Sequence, residues 1–461
     1  FTNLRWQDNK NHLNGIRRFN VDDSSNFQED DPALWYSEHT GDSAYVPMNN
    51  SKNLSFLGKI TARIKNRVKL SFLYTYNDDQ WRGYNHAFKY NPDGMATSYR
   101  TSNMYSLGIN HLLSRTAFYE LKFSYVDNYN GWYVFKDPTD PRYVHDKYLY
   151  NDGPGFFTGG QQKGHSERWL RDINVKFDFN WQVDKHNSIK TGVQYIHHDL
   201  DNRWHEIRNR WFGTDLETVR YEPMILPDSS IYADVYHVKP VEFSAYIQDK
   251  LEYEDMVINV GLRYDMFDPN WVYPSQLRNP ANQLRFNNPD SMSRYPQADP
   301  QTQISPRIGL SYQLSDVALL HFSYGHFFQM PPMYAIYQNH SFRVAPNDYT
   351  TTMGNARIHA QKTVQYEVGL WQELTEGMGL EVALFYRDIY DLLSTRIITT
   401  YNQIEYGLYS NKDYGNAKGL EVKYEFRRGP LTAALNYTLQ YTRGNADNPL
   451  FTFTRAGESM D

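Results

Sequence analysis

The stretch INVKFDFNWQV, Ile173 to Val183, sets Ile173, Val175, Phe177, Phe179, Trp181 and Val183 against Asn174, Lys176, Asp178, Asn180 and Gln182 in strict alternation. Side chains point to opposite faces of a β-strand with a period of two, so this is a strand with one greasy and one wet face. Beyond Asp184-Lys185-His186-Asn187 it is answered by IKTGVQYIH (189–197), and the pair reads as a hairpin. IGLSYQLSDVALLHFSY (308–324) repeats the plan: Ile308, Leu310, Tyr312, Leu320, Phe322 and Tyr324 share one face. Ser311, Gln313, His321 and Ser323 share the other, and Leu314-Ser315-Asp316-Val317 forms the turn. The greasy side meets either a soluble core or lipid.

Hairpins of this kind run along the chain. LSFLGKITARI (54–64) turns at Lys65-Asn66-Arg67 into VKLSFLYTY (68–76), and MYSLGINHL (104–112) meets FYELKFSY (118–125). VEFSAYIQDKLEY (241–253) returns as VINVGLRYD (257–265), VQYEVGLWQEL (364–374) as LEVALFYRD (380–388), and GLEVKYEF (419–426) as LTAALNYTLQY (431–441). This predicts about 14 strands, most near the roughly 9–11 residues that a strand tilted about 45° needs to cross a bilayer core. Turns within hairpins are a few residues long, whereas the connections 126–171, 199–240, 266–305 and 328–363 are long and rich in Tyr, Asn, Asp and Pro. Soluble domains seldom repeat structureless loops beyond about 12–15 residues. Outer-membrane barrels have this asymmetry, with short periplasmic turns and long extracellular loops.

Composition agrees. The 461 residues include 39 Tyr, 25 Phe and 10 Trp, yet the mean hydropathy is -0.73. A lipid-facing aromatic surface combined with polar loops and a polar lumen gives that pairing. No apolar run is long enough for a transmembrane helix, which leaves a barrel untouched. A formal charge of -6 with mixed signs argues against nucleic acid as a partner, and the absence of cysteine removes disulfides, thiol nucleophiles and cysteine metal sites. The expected fold is therefore all-β: an antiparallel transmembrane β-barrel of the outer-membrane type. Lys176, Arg263, Glu367 and Glu421 should face its lumen, and Trp181, Tyr264, Tyr312, Tyr386, Tyr424 and Tyr441 its interfacial girdles. A secreted β-rich binding module remains the soluble alternative.

AYIQDKLEYEDMVINVGLRYDMFDPN (245–270) resembles the barrel of TonB-dependent outer-membrane receptors, especially the large ones of Bacteroidetes-like bacteria. SPRIGLSYQLSD (305–316), YGHFFQMPPMYAIYQN (324–339), QYEVGLWQEL, FYRDIYDLLSTR (385–396) and YGNAKGLEVKYEF (414–426) resemble the same family in the same order. The resemblance implies one receptor-like barrel domain over 1–461. It also implies a barrel of 22 strands in the whole family member, so the expectation is an incomplete barrel with the plug, the TonB box and further strands outside this stretch. The implied function is energy-coupled uptake of a siderophore, cobalamin, glycan or peptide across the bacterial outer membrane. The implied partners are outer-membrane lipid and lipopolysaccharide, the TonB-ExbB-ExbD complex acting through the plug, and a surface lipoprotein. A passive porin-like or adhesive barrel is the alternative without energy coupling.

Trp132, Tyr133, Trp204, Trp211, Trp271, Tyr273, Phe327, Phe328, Tyr334 and Tyr337 fall at or beyond the outer strand ends. Rigid aromatic surfaces serve sugars and aryl groups alike, so these are the candidate substrate contacts, weighed against girdle and loop packing. His197, His198, Asp199, Asp201 and His205 crowd HHDLDNRWHE at the expected start of an outer loop, where imidazole and carboxylate hold either a divalent cation or solvent. Asp137, Asp140 and Asp146 pose the same choice between a calcium site and a proline-rich turn. No spacing of Ser, His and Asp and no phosphate-cradling glycine motif stands out. Neither enzymatic activity nor a cofactor is expected.

Overall fold

The computed structural model describes residues 1–151, 155–228, 230–279, 293–339 and 351–444, so the connections expected over 266–305 and 328–363 lie partly outside it. One sheet of seventeen strands dominates. Two members are short additions, Ala233–Val238 and Thr352–Met353. The fifteen others are long or spanning strands. They are β1 Thr2–Asn9, β2 Asn50–Ile64, β3 Val68–Arg82, β4 Thr97–Leu112 and β5 Ala117–Tyr133; β6 Gly164–Gln182, β7 Asn187–Glu206, β8 Val241–Tyr253, β9 Met256–Asp268 and β10 Gln301–Ser315; and β11 Ala318–Gln329, β12 Gln361–Thr375, β13 Met378–Thr399, β14 Glu405–Arg428 and β15 Leu431–Arg443. Each pairs antiparallel with the next in chain order, from Leu4 opposite Phe56 to Leu439 opposite Leu420. Among the described residues no register joins β1 to β15. Among the described residues no helix is long and apolar enough to cross a membrane.

The registers carry the sequence alternation across the whole wall. Ile109, Leu121, Phe177, Val193, Ala245, Tyr264 and Ile304 are successive partners on one face. Exposed apolar side chains crowd this face, with Leu107 at 46%, Val193 at 44% and Leu262 at 53%. Tyr74, Tyr105 and Tyr125 form a ladder with ring centroids 4.9 and 6.4 Å apart, and Tyr324, Tyr366 and Tyr386 form another at 5.0 and 6.4 Å. Trp181, Tyr312 and Tyr424 lie on the same face nearer the tight turns. Lys176, Arg263, Glu367 and Glu421 take the opposite face, as the alternation requires. Tight turns close one end of every hairpin. In the first, Lys65 and Asn66 both adopt positive φ, 48° and 55°, the primed geometry that suits the right-handed twist of the flanking strands.

Two differences from the sequence reading have physical causes. The strands are longer than a bilayer demands: the 24 residues of β14 extend about 79 Å at about 3.3 Å each, far beyond a hydrocarbon core of about 30 Å even when tilted. Outside lipid both faces tolerate polar residues, so alternation fades while pairing continues. The expected loops shrink accordingly, and His197 to His205 lie within β7. The second difference is β1. Thr2, Leu4 and Trp6 pair with Gly58, Phe56 and Leu54, but two apolar residues between polar ones give too weak a periodic signal to be read as a strand.

The main buried core sits at the end opposite the tight turns. Leu200, Val238, Phe267, Ile336, Tyr337, Ile358 and Tyr409 bury together, with Leu170, Trp271 and Phe328 packed against them. Helix α1, Met333–Tyr337, is pressed into this cluster, and the Tyr337 hydroxyl donates to the Pro269 carbonyl at 2.7 Å. A smaller cluster of Met48, Phe88 and Met95 ties the connection 10–49 to 83–96, reinforced by Arg17 between Asp42 and Asp93. At about 1.5–3 kcal/mol per buried large side chain, such clusters are what fixes these long connections.

Two outcomes follow from this architecture. Val193→Arg places a cation on the lipid face and should destabilise the folded protein by about 2–4 kcal/mol in vesicles, whereas Gln194→Arg on the opposite face should cost under about 1 kcal/mol. Urea unfolding followed by gel mobility separates the two, and equal effects would contradict the face assignment. Tyr337→Phe should leave the buried Pro269 carbonyl without its donor and loosen the outer cap by about 1–3 kcal/mol. Faster proteolysis of the outer connections, with barrel unfolding unchanged, is the expected readout.

Candidate functional site

The outer ends of β6 and β7, continued by Ala233–Val238, present three stacked rows on the lumen face. Leu170, Leu200 and Val238 form the lowest and belong to the buried core. Above them come Arg168, Asn202 and Tyr236, and then Ser166, Trp204 and Asp234. Tyr334 and Gln338, at and just past α1, form the facing wall of a cavity of 450 Å³. Asn202 donates to the Asp234 carbonyl at 3.0 Å, and the backbone N–H of Asn339 donates to Asp234 Oδ1 at 3.0 Å, which anchors one wall to the other. Tyr334 meets Tyr409 edge-on at 5.6 Å. Burial pushes the Tyr409 hydroxyl up to about 12 and raises the Tyr236 hydroxyl further, so both are neutral donors at any physiological pH. Arg168 makes no ion pair among the described residues. The cavity lining thus combines the aromatic side chains Trp204, Tyr236 and Tyr334 with a guanidinium and amides.

Ser166 has Trp132 as its register partner on one side and Trp204 on the other. The two indoles therefore rise from the same face two strands apart, about 9–10 Å at the usual strand spacing. Trp204 and Tyr334 are the sequence candidates that line the cavity, while the Trp132 ring lies over Gly164 beside it. Others have structural surroundings. Tyr337 is fully buried and Tyr133 is 5% exposed, stacked between Tyr99 and His165. Trp271 packs edge-on against Tyr337, and Phe328 joins the same core. Tyr273 lies under Arg357, and Trp211 under Arg220 in its own turn.

Deeper on the lumen face is a second cavity, of 460 Å³. Its floor is a single register row: Lys190, Gln248, Gly261, Arg307, Gly325 and Gln365. Gly325 leaves room for the Arg307 stem, whose Cγ would lie 3.5 Å from an added Cβ, and Arg307 spreads over the Phe327 ring at 4.9 Å. Lys176 pairs with Asp178 at 3.0 Å and Arg263 with Asp265 at 2.8 Å. Lys190 and Arg307 make no ion pair among the described residues, so the trough is net positive. Sequence reasoning placed Lys176 and Arg263 here and missed Arg168, Asn202, Lys190 and Arg307. Their alternation was visible, but which lumen positions converge depends on register across five strands.

Most of the carboxylates and imidazoles weighed between a cation and ordinary polar contacts find protein partners. Strand alternation puts His197, Asp199, Asp201 and His205 on the outer face and His198 on the lumen face. His198 Nδ1 lies 2.6 Å from Asp172, and its Nε2 lies 3.3 Å from Glu242. Asp199 answers His237 at 2.9 Å, and Asp201 answers Arg203 at 2.8 Å. Asp137 bonds Thr139, Asp146 pairs with Lys163 at 3.0 Å, and hydrogen bonds from Arg142 hold the Asp140 carboxyl down to about 2. Among the described residues no group of three such side chains converges as metal ligands do.

The family described as TonB dependent receptor-like, beta-barrel matches residues 3–457. No curated protein sequence matches the chain. The FrpB iron transporter of Neisseria meningitidis (F3-3 variant) superposes with a TM-score of 0.61 at 14% identity, over 96% of this chain and 57% of its own. The outer membrane transporter YddB of Escherichia coli gives 0.61 at 13%, over 96% and 52%. The alcaligin outer membrane receptor FauA of Bordetella pertussis gives 0.51 at 14%, over 87% and 55%. The chain therefore spans little more than half the length of these solved structures, and at such identities the likeness establishes the fold. With the lipid-facing wall, the tight turns and the polar lumen face in place, the chain belongs to the TonB-dependent receptor family as an outer-membrane β-barrel domain.

Proposed function

We propose that this barrel wall serves energy-coupled uptake of a bulky or scarce solute, such as a siderophore, cobalamin, glycan or peptide, across the outer membrane. The observation that carries the reading is the outer cavity, in which Trp204 and Tyr334 stand over Arg168 and Asn202 at the mouth of a polar lumen. Aromatic planes flanked by amide and guanidinium donors grip a large polar solute without covalent chemistry. The trough of Lys190, Arg263 and Arg307 lies below it on the same wall, along the route inward. FrpB is described as an iron transporter and FauA as a receptor for alcaligin, which supports transport through a wall of this shape.

Energy coupling requires the TonB-ExbB-ExbD complex acting on a plug, with lipid and lipopolysaccharide around the wall and a surface lipoprotein over the vestibule as further partners. Uptake by the complete protein should stop when TonB is deleted or the proton gradient is collapsed. A passive pore would be indifferent to both treatments. Trp204→Ala and Tyr334→Ala should each raise the half-saturating solute concentration about ten-fold, the equivalent of about 1.4 kcal/mol of lost contact. Uptake assays at matched outer-membrane abundance read this directly, and unchanged half-saturation in both variants would overturn the assignment of the vestibule.

A further inference from the structure

A separate cavity lies among the outer ends of β13 and β14, the connection following β9, and the stretch 354–359. It measures 310 Å³ and is lined by Tyr273, Asn355, Arg357, His359, Arg396 and Ser410, with Asp391 as its single carboxylate. We propose that this cavity is a binding site for a small oxyanion, the carboxylate or phosphate group of a soluble molecule or of lipopolysaccharide.

Three observations carry it. Neither Arg357 nor Arg396 forms an ion pair among the described residues, and Arg357 is held over the Tyr273 ring at 4.7 Å. Two guanidinium groups beside one exposed carboxylate leave an excess of fixed positive charge with donors in planar, bidentate array. Ser410 Oγ is buried and has no hydrogen-bond partner. Buried hydroxyls are nearly always bonded, so an orphan hydroxyl in a residue lining a polar cavity is a donor still open to a ligand acceptor. The walls are also rigid. The His359 N–H donates to Asn411 Oδ1 at 2.6 Å, and Asn411 Nδ2 donates back to the His359 carbonyl at 3.0 Å. Asn355 Nδ2 reaches the Tyr409 carbonyl at 2.9 Å, and the Tyr406 hydroxyl reaches the Leu277 carbonyl at 2.7 Å. A frame fixed in place before the ligand arrives lowers the ordering cost of binding. The site stands independently of transport, because its evidence is charge, geometry and an unsatisfied hydroxyl.

Calorimetric titration of the complete protein in detergent, with inorganic phosphate and with citrate, tests it. Saturable binding that weakens as salt rises is expected for at least one of them, with a loss of ten-fold or more in Arg396→Gln and in Arg357→Gln. Ser410→Ala should weaken binding several-fold while the melting temperature stays level or rises, because deleting an orphan buried hydroxyl removes a penalty. Lys423→Gln, which touches only the lumen pair with Glu381, should bind as the parent does. Nanodiscs with intact lipopolysaccharide should block phosphate binding if the headgroup is the natural occupant, and discs with dephosphorylated lipopolysaccharide should restore it. Equal phosphate binding in both discs identifies a soluble anion instead. Absence of saturable binding of either probe, or unchanged affinity in both arginine variants, would overturn the proposal.

Discussion

Lipid offers no partner to a backbone N–H or carbonyl, so a chain that crosses it with strands must pair every strand along its length. Everything else in this protein is arranged around that requirement. Fifteen strands pair with their chain neighbours without a crossover, because a tight turn is the shortest way to bring the next strand alongside. Once pairing fixes the backbone, the two faces are free to carry opposite chemistries. Val193 and Gln194 are adjacent in sequence and live in different solvents.

That division explains where function can reside. The outer face is committed to acyl chains and to the tyrosine ladders at the interface. The lumen face is held to a single strand register, so a residue on one strand shares a row with a predictable residue three strands away, as Lys190 does with Arg307. Above the bilayer the constraint relaxes, and buried clusters replace lipid as the organising medium. The cap around Tyr337 turns long connections into a floor and a wall, on which Trp204 and Tyr334 are displayed.

The fold was legible in the sequence because period two is a local signal repeated in every hairpin. INVKFDFNWQV assigns its own faces with no knowledge of its neighbours. Thr2–Asn9 escaped because it offers only Leu4 and Trp6, and the outer extensions escaped because water on both sides erases the alternation. The candidate site was legible only in part. Aromatics beyond the strand ends were the right residue type, yet Trp204 and Tyr334 line a cavity while Tyr337, three residues on, is buried core. That distinction depends on how α1 docks, a tertiary fact without a local trace. In HHDLDNRWHE the density of ligand-type residues is local but their partners are not: His198 turns to the lumen face toward Asp172 and Glu242, and Asp199 on the opposite face answers His237 of the neighbouring strand.

The absence of cysteine from the chain makes the central claim directly measurable. Single cysteines introduced from Ile189 to Ile196 along β7 in the complete protein, labelled with a small fluorophore and reconstituted with brominated lipid, report which side chains meet acyl chains. The account predicts quenching at Ile189, Thr191, Val193 and Tyr195 and none at Lys190, Gly192, Gln194 and Ile196, with a period of two. Uniform quenching, or none along the whole strand, would contradict a wall with lipid on one side and a lumen on the other.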